Sequence, residues 1–282
     1  MNRKIVWLAS YPKSGNTWLR IFLSNFLFSE RDQIDINDIP INNVSYSRLQ
    51  FEEMLDIDTE LFSVEEEENL RPMAFKSYAQ TLDRLEFIKV HEAQYNNSKG
   101  EAIFPSEVSR GVIYIVRNPL DVAVSFSNHL QIDIDSTIKY MSDSFYDLSK
   151  INKGDLRSQL SIKLKTWSEN VESWIDQKEI PIHVVRYEDM MSLPLKTFGA
   201  VLKFLNFAFT KEELVKAINK SSFNTLQQME KDEGFREHKN TDVEFFRSGN
   251  IGDWKLHLSE DQRDRILADH SNIMRRLGYL DD

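Results

Sequence analysis

The 282-residue chain contains no cysteine, so it has neither a disulfide frame nor a thiolate nucleophile. It also lacks any apolar run approaching the roughly 20 residues of a membrane-spanning helix. No internal repeat and no low-complexity tract interrupts it. Positive charge is in deficit: 35 Lys and Arg stand against 45 Asp and Glu, a formal net charge of −10. That balance argues against a general nucleic-acid binder. An anionic ligand must then be held by local cations and not by the overall field. What is present is ordinary for a globular protein, with 41% hydrophobic and 28% charged residues. The length allows one large α/β domain or two small ones. The N-terminus runs straight into a predicted strand with no leader-like stretch, which with the missing cysteines gives the cytoplasm as the expected location.

The most informative stretch is residues 4–20. Ile5 to Ala9 are apolar without a break, which predicts a strand buried on both faces. Ser10 to Gly15 is turn chemistry. From Asn16 the period becomes helical, with Trp18, Phe22 and Phe26 on one stripe and Leu19, Leu23 and Leu27 on the next. Strand, small-residue loop and helix make an anion cradle: free backbone N–H groups and the helix dipole face the ligand. Lys13 adds a mobile cation. The nucleoside-triphosphate loop G-x-x-x-x-G-K-[ST] does not fit, because Ser10 stands at its first Gly and Asn16 at its Lys.

Tyr11-Pro-Lys-Ser-Gly-Asn-Thr-Trp18 instead resembles, throughout, the 5′-phosphosulfate-binding loop of the sulfotransferases that use 3′-phosphoadenosine 5′-phosphosulfate (PAPS). Further segments carry the same resemblance. Phe87, Ile88 and Val90 predict a short strand that sets Lys89 and His91 on one face, where the Lys favours a neutral imidazole. Lys89-Val-His91 is similar to the family's K-T-H segment, whose His is catalytic. Val112 to Val116 predicts a second central strand; Asn118 is a good N-cap, Pro119 suits the first helical position, and Arg117 falls at the sheet edge where open α/β sheets bind ligands. Arg117-Asn-Pro-Leu-Asp-Val-Ala-Val-Ser125 resembles the segment whose Arg and Ser hold the 3′-phosphate. Tyr187, in Tyr187-Glu-Asp-Met190, matches a Tyr that reaches the adenosine. Ser221-Ser-Phe223 matches the segment that contacts adenine, so that Trp18 and Phe223 would stack on the base. Phe246 to Lys255 resembles the family's second 3′-phosphate loop at Arg247, Gly249, Gly252, Asp253, Trp254 and Lys255. Ser248 there replaces a Lys, one cation fewer, though its hydroxyl can still hydrogen-bond an oxygen.

Elsewhere the sequence is plainer. Residues 35–71 cover either the sheet edge or a substrate site, and 65–68 look like a solvated helix start. Residues 73–77 are too short to assign. Helices are predicted over 133–149, 162–175, 193–205, 210–219 and 259–277, with a break at 152–155 and a third buried strand over 182–187. Residues 230–244 read as mobile. His129 lies one turn after Ser125, either lining an acceptor pocket or at the surface.

The resemblance implies a single α/β domain over 1–282 with a central parallel sheet flanked by helices and a P-loop-like phosphosulfate loop. It implies transfer of a sulfuryl group from PAPS, leaving 3′,5′-adenosine bisphosphate, to an acceptor hydroxyl or amine, without metal. Catalysis would fall to His91, Lys13 and Lys89; donor binding to Lys13, Ser14, Gly15, Asn16, Thr17, Trp18, Arg117, Ser125, Tyr187, Ser221, Phe223, Arg247, Ser248 and Gly249. The acceptor would be a small molecule, glycoside or peptide bearing a hydroxyl, with neither nucleic acid nor membrane as partner. Lys255, Ser259, Glu260 and Asp264 imitate the family's dimer motif poorly, which leaves a monomer or weak homodimer as the expected state. A P-loop kinase is the alternative, opposed by Asn16 and by Arg117 where a metal-binding Asp is needed. A non-catalytic nucleotide-binding protein of the same fold is another, opposed by Lys89 and His91 together.

Overall fold

A parallel four-stranded sheet in the order β2-β1-β3-β4 organises the computed structural model. The structure describes residues 3–41, 45–151, 159–237, 244–247 and 249–281. In chain order the elements are β1 (Ile5–Ser10), α1 (Asn16–Leu27), α2 (Arg48–Leu55), α3 (Val64–Thr81), β2 (Glu86–Val90), β3 (Ser109–Val116), α4 (Pro119–Leu130), α5 (Ile134–Met141), α6 (Trp167–Ile175), β4 (Ile182–Arg186), α7 (Tyr187–Ser192), α8 (Pro194–Phe204), α9 (Lys211–Lys220), α10 (Phe223–Glu233) and α11 (Glu260–Arg276). The fold is therefore the expected α/β class.

β1 is the central strand, and all six of its residues are buried. Successive side chains leave a strand on opposite faces. Ile5, Trp7 and Ala9 accordingly join a layer with Phe104, Tyr114, Phe126, Trp167 and Trp174. Val6 and Leu8 join a layer with Trp18, Phe22, Ile113, Ile115 and Phe198. Apolar cover on both faces is what makes the strand a continuous apolar run. β3 does the same, and the C-terminal ends of β1, β2 and β3 open on one edge, between crossovers that run to opposite sides of β1.

The structure corrects several sequence expectations. Residues 73–77 belong to α3, which starts at a Ser63–Glu66 capping box and carries Pro72 inside it. The acidic start of α3 is not wholly solvated. Glu67 and Glu68 are buried, paired with Arg48 at 2.6 Å and with Lys163 at 2.5 Å. The helix expected over 133–149 ends at Met141. Beyond it Asp147 turns the chain by accepting from Ser149 N and Ile162 N, both at 2.9 Å. The helix expected over 162–175 begins only at Trp167, because Thr166 and Glu169 form a capping box there. Ile162 and Leu164 still enter the core, but from an extended segment. The strand over 182–187 ends at Arg186 and lies at the sheet edge with only Val185 buried. The expectation of mobility over 230–244 fails at its start: Glu230 to Glu233 complete α10 and Phe235 is buried. Residues 152–155, 238–243 and Ser248 lie outside the described residues.

Candidate active site

The loop leaving β1 is shaped by two residues in the left-handed region, Lys13 (φ 66°) and Gly15 (φ 104°). Gly15 is required twice over. Its φ disfavours an L side chain, and a Cβ there would lie 2.8 Å from the Tyr187 ring. Asn16 opens α1 and pins the loop by donating from Nδ2 to Leu8 O (2.7 Å) and Ser10 Oγ (3.1 Å). Gly15, Asn16, Thr17 and Trp18, at the start of α1, thus border the cavity.

β3 delivers Arg117 to the same place. Its guanidinium lies 4.3 Å over the Tyr187 ring and donates to Lys13 O (3.2 Å) and Asn250 O (3.4 Å). Tyr187 Oη donates to Gly249 O (3.1 Å), which ties the far loop to the first. Asp121, in the first turn of α4, accepts from Gly252 N (2.8 Å) and Trp254 N (2.9 Å). Glu230 accepts from Phe245 N and Phe246 N, and Arg247 pairs with Asp253 at 2.5 Å. Trp18 Nε1 donates to Ser221 O (2.6 Å). Gly249, at φ 61°, passes so close to Phe223 that a Cβ would meet the ring at 2.7 Å.

β2 brings the remaining groups. Its last residues place Lys89 in the wall and His91 just past the strand end. His91 Nδ1 lies 2.9 Å from Ser10 O. A carbonyl only accepts, so Nδ1 carries the proton and Nε2 keeps its lone pair. Burial first, then the Lys89 charge, hold the His91 pKa well below its ordinary value, so the ring is neutral. The same two causes act on the cations. Burial, Arg117 and Lys89 bring Lys13 down to about 7, and burial and Arg20 bring Lys89 to about 8 against an opposing pull from Glu237. Lys13 Nζ rests 3.8 Å from the centre of the Phe245 ring, out of bulk water.

These groups line one cavity of about 420 Å³. It is bordered by Lys13, Gly15, Asn16, Thr17, Trp18, Lys89, His91, Arg117, Ser125, Tyr187, Phe223, Arg247 and Gly249, residues far apart in the chain. Two expected residues are not among those that border the cavity. Ser14 is buried beneath the loop, and Ser221 is buried with its hydroxyl donating to Ala217 O (2.9 Å). His129 also lines the cavity, edge-on to Phe245, together with Tyr46 and Phe126. Glu237 also lines the cavity, with Arg20 paired behind it, and neither carries a motif. Arg20 did leave a signal, since a charge on the apolar face of a buried helix needs a partner. Glu237 left none.

The sulfotransferase domain family matches residues 3–278. Cytosolic sulfotransferase 1 of Arabidopsis thaliana is 26% identical over 92% of this chain and 75% of its own length. Amine sulfotransferase of Oryctolagus cuniculus is 22% identical over 93% of this chain and 77% of its own. Among solved structures, a mouse sulfotransferase complexed with PAP matches 99% of this chain and 88% of its own, with TM-score 0.60 and 20% identity. Retinol dehydratase in a complex with retinol and PAP matches 97% and 82%, with TM-score 0.63 and 17% identity. These two share the fold. The family match spans nearly the whole chain, and the chain belongs to the sulfotransferase domain family.

Proposed function

We propose that the chain, as one catalytic domain over residues 1–282, transfers a sulfuryl group from PAPS to a hydroxyl or amine of a small acceptor. The observation that carries this is the meeting of Lys13, Lys89 and a neutral His91 with Arg117 and Ser125 in one cavity. Membership of the family and PAP-bound proteins of the same fold support PAPS as the donor. So does the cradle itself: Gly15 leaves its backbone bare, and the N–H groups at the start of α1 suit a terminal anion.

In this arrangement Lys13 and the N–H groups of residues 15–18 hold the 5′-phosphosulfate. Arg117 and Ser125 hold the 3′-phosphate, and the segment of Arg247, Ser248 and Gly249 is its second binding loop. Trp18 and Phe223 flank the adenine, and Tyr187 supports Arg117 beneath. The bond from sulfur to the phosphate oxygen breaks as the bond from sulfur to the acceptor oxygen forms. Lys13 neutralises the charge that collects on the departing phosphate. Lys89 faces the sulfuryl oxygens. His91 Nε2 removes the acceptor proton, a role that its neutral form and fixed tautomer permit. Positioning and charge stabilisation supply the rest.

A transfer screen with labelled PAPS over phenols, alcohols, amines, sugars and peptides tests this. At least one class should be labelled, and 3′,5′-adenosine bisphosphate should bind far better than ATP in metal-free calorimetry. Magnesium-dependent ATP binding of equal strength, with no labelled product, would refute it.

A further inference from the structure

Arg20 and Glu237 stand 217 residues apart in sequence and outside every motif, yet they meet inside the cavity wall. Arg20 lies one turn into α1, and its side chain is fully buried. Its Nε donates to Ile41 O (2.8 Å), while Nη1 and Nη2 donate to Glu237 Oε2 (3.0 Å) and Oε1 (2.8 Å). A fork-on-fork pair of this kind fixes both the place and the plane of the carboxylate. Glu237 is about one third exposed, and the side it presents to the cavity faces Lys89: its Oε2 lies 3.8 Å from Lys89 Nζ.

The other groups around Lys89 come from several elements. Arg20 approaches from α1, Lys13 from the loop after β1, His91 from beyond the end of its own strand, and Tyr46 from the segment before α2. Its backbone is anchored separately, Lys89 O accepting from Ser45 N at 3.0 Å. Lys13 and Arg20 repel a proton on Lys89 and burial opposes it; His91 and Tyr46 are uncharged at neutral pH. Among the described groups that act on Lys89, the Glu237 carboxylate is the anion that favours its charged form.

We propose that Glu237 is a positioning residue that acts through Lys89. Held by Arg20, its carboxylate aims the ammonium into the cavity and keeps it charged, so that a cation is ready for the group being transferred. Glu237 itself touches neither donor nor acceptor in this role. The functional part rests on the role proposed for Lys89, whereas the coupling between the two side chains can be measured without turnover.

The test is an NMR titration of the full chain with lysines labelled with ¹³C at Cε, the Lys89 resonance being assigned by its loss in Lys89→Arg. With the native residues the midpoint should lie near 8. Glu237→Gln should lower it by about one pH unit or more, a tenfold change in the charged-to-neutral ratio. Glu237→Asp keeps the charge one methylene further back and should lower it by less; it serves as the test should the Gln variant fail to fold. In turnover at saturating PAPS, the alkaline limb of kcat should move down with the Lys89 midpoint, while KM for PAPS stays nearly constant. A merely structural role for Glu237 would not move that limb. An unchanged midpoint in the variant that folds overturns the inference. Failure of the native chain to bind 3′,5′-adenosine bisphosphate would instead overturn the donor assignment and leave the coupling measurable.

Discussion

Binding of 3′,5′-adenosine bisphosphate should draw protons from solution at alkaline pH. In the free protein Lys13 titrates near 7 and Lys89 near 8, because both have lost hydration and stand among other cations. At pH 8 Lys13 is then only about 0.1 charged and Lys89 about half charged. A phosphate at the loop supplies the missing counter-charge and restores the proton on Lys13, an uptake of about 0.9 per site. If the bound anion reaches Lys89 as well, the total approaches about 1.4. At pH 6 both lysines are already charged, while the phosphate monoesters, with second pKa values near 6, lose protons on binding, so the net flow reverses. Calorimetry at pH 8 in Tris and in HEPES, which differ in ionisation enthalpy, reads the proton count from the difference in apparent heat. Lys13→Arg stays charged throughout and should bind while cutting the uptake to about 0.5 or less. A binding heat that does not depend on the buffer at pH 8, or proton release there, would refute the reasoning. The same depressed pKa has a consequence for folding. Between about 7 and 10.5 the unfolded chain holds the Lys13 proton more tightly, so the stability of the free protein should rise with pH across that window, and saturating bisphosphate should flatten the rise.

Three further outcomes follow from the geometry. His91→Ala should cut sulfuryl transfer by about two to four orders of magnitude with bisphosphate affinity nearly intact, and His129→Ala should do much less; equal losses in the two variants would remove His91 as the base. Gly249→Ala forces a Cβ into the Phe223 ring at a φ of 61°, and should weaken bisphosphate binding in calorimetry while leaving the NMR midpoint of Lys89 in place. Glu92→Ala would strand the buried Arg71 guanidinium that now sits 2.6 Å from the Glu92 carboxylate, and should cost about 3–5 kcal/mol in denaturant unfolding; a cost under about 1 kcal/mol would mean that water reaches the pair.

How much of this was legible in the sequence depended on whether partners were neighbours in the chain. β1 and β3 are covered by apolar layers on both faces, so each announces itself as an unbroken run. The edge strand β4 looked like a third buried strand because Ile182, Val184 and Val185 are apolar, although only Val185 is buried. The overlong helix over 162–175 has a physical cause: Ile162 and Leu164 pack on the same core as α6, so the apolar spacing runs on past the true start. The correction was nevertheless written locally, in Thr166 and the Glu169 three residues on. The loop after β1 was readable for the same reason, since residues 11–18 place the turn, Lys13 and the helix start in one short stretch of chain. Side-chain direction was not. The match at Ser14 and Ser221 says nothing about which way a hydroxyl turns; both residues are buried, and the Ser221 hydroxyl donates to Ala217 O.

The least legible part is the cavity wall at Glu237. Arg20 and Glu237 share no local pattern, and neither has a role until the fold brings α1 against the segment that follows α10. A buried guanidinium on α1 is a visible anomaly in the sequence, because it predicts that some carboxylate must come to it. Which carboxylate comes is decided by tertiary packing, and that choice also sets the field at Lys89. The cations that suit the site to an anionic donor are thus read from contiguous motifs. The anion proposed to hold one of them charged lies in a stretch without a motif, so on that proposal variation there would tune the reaction while the loops that resemble the family stay unchanged.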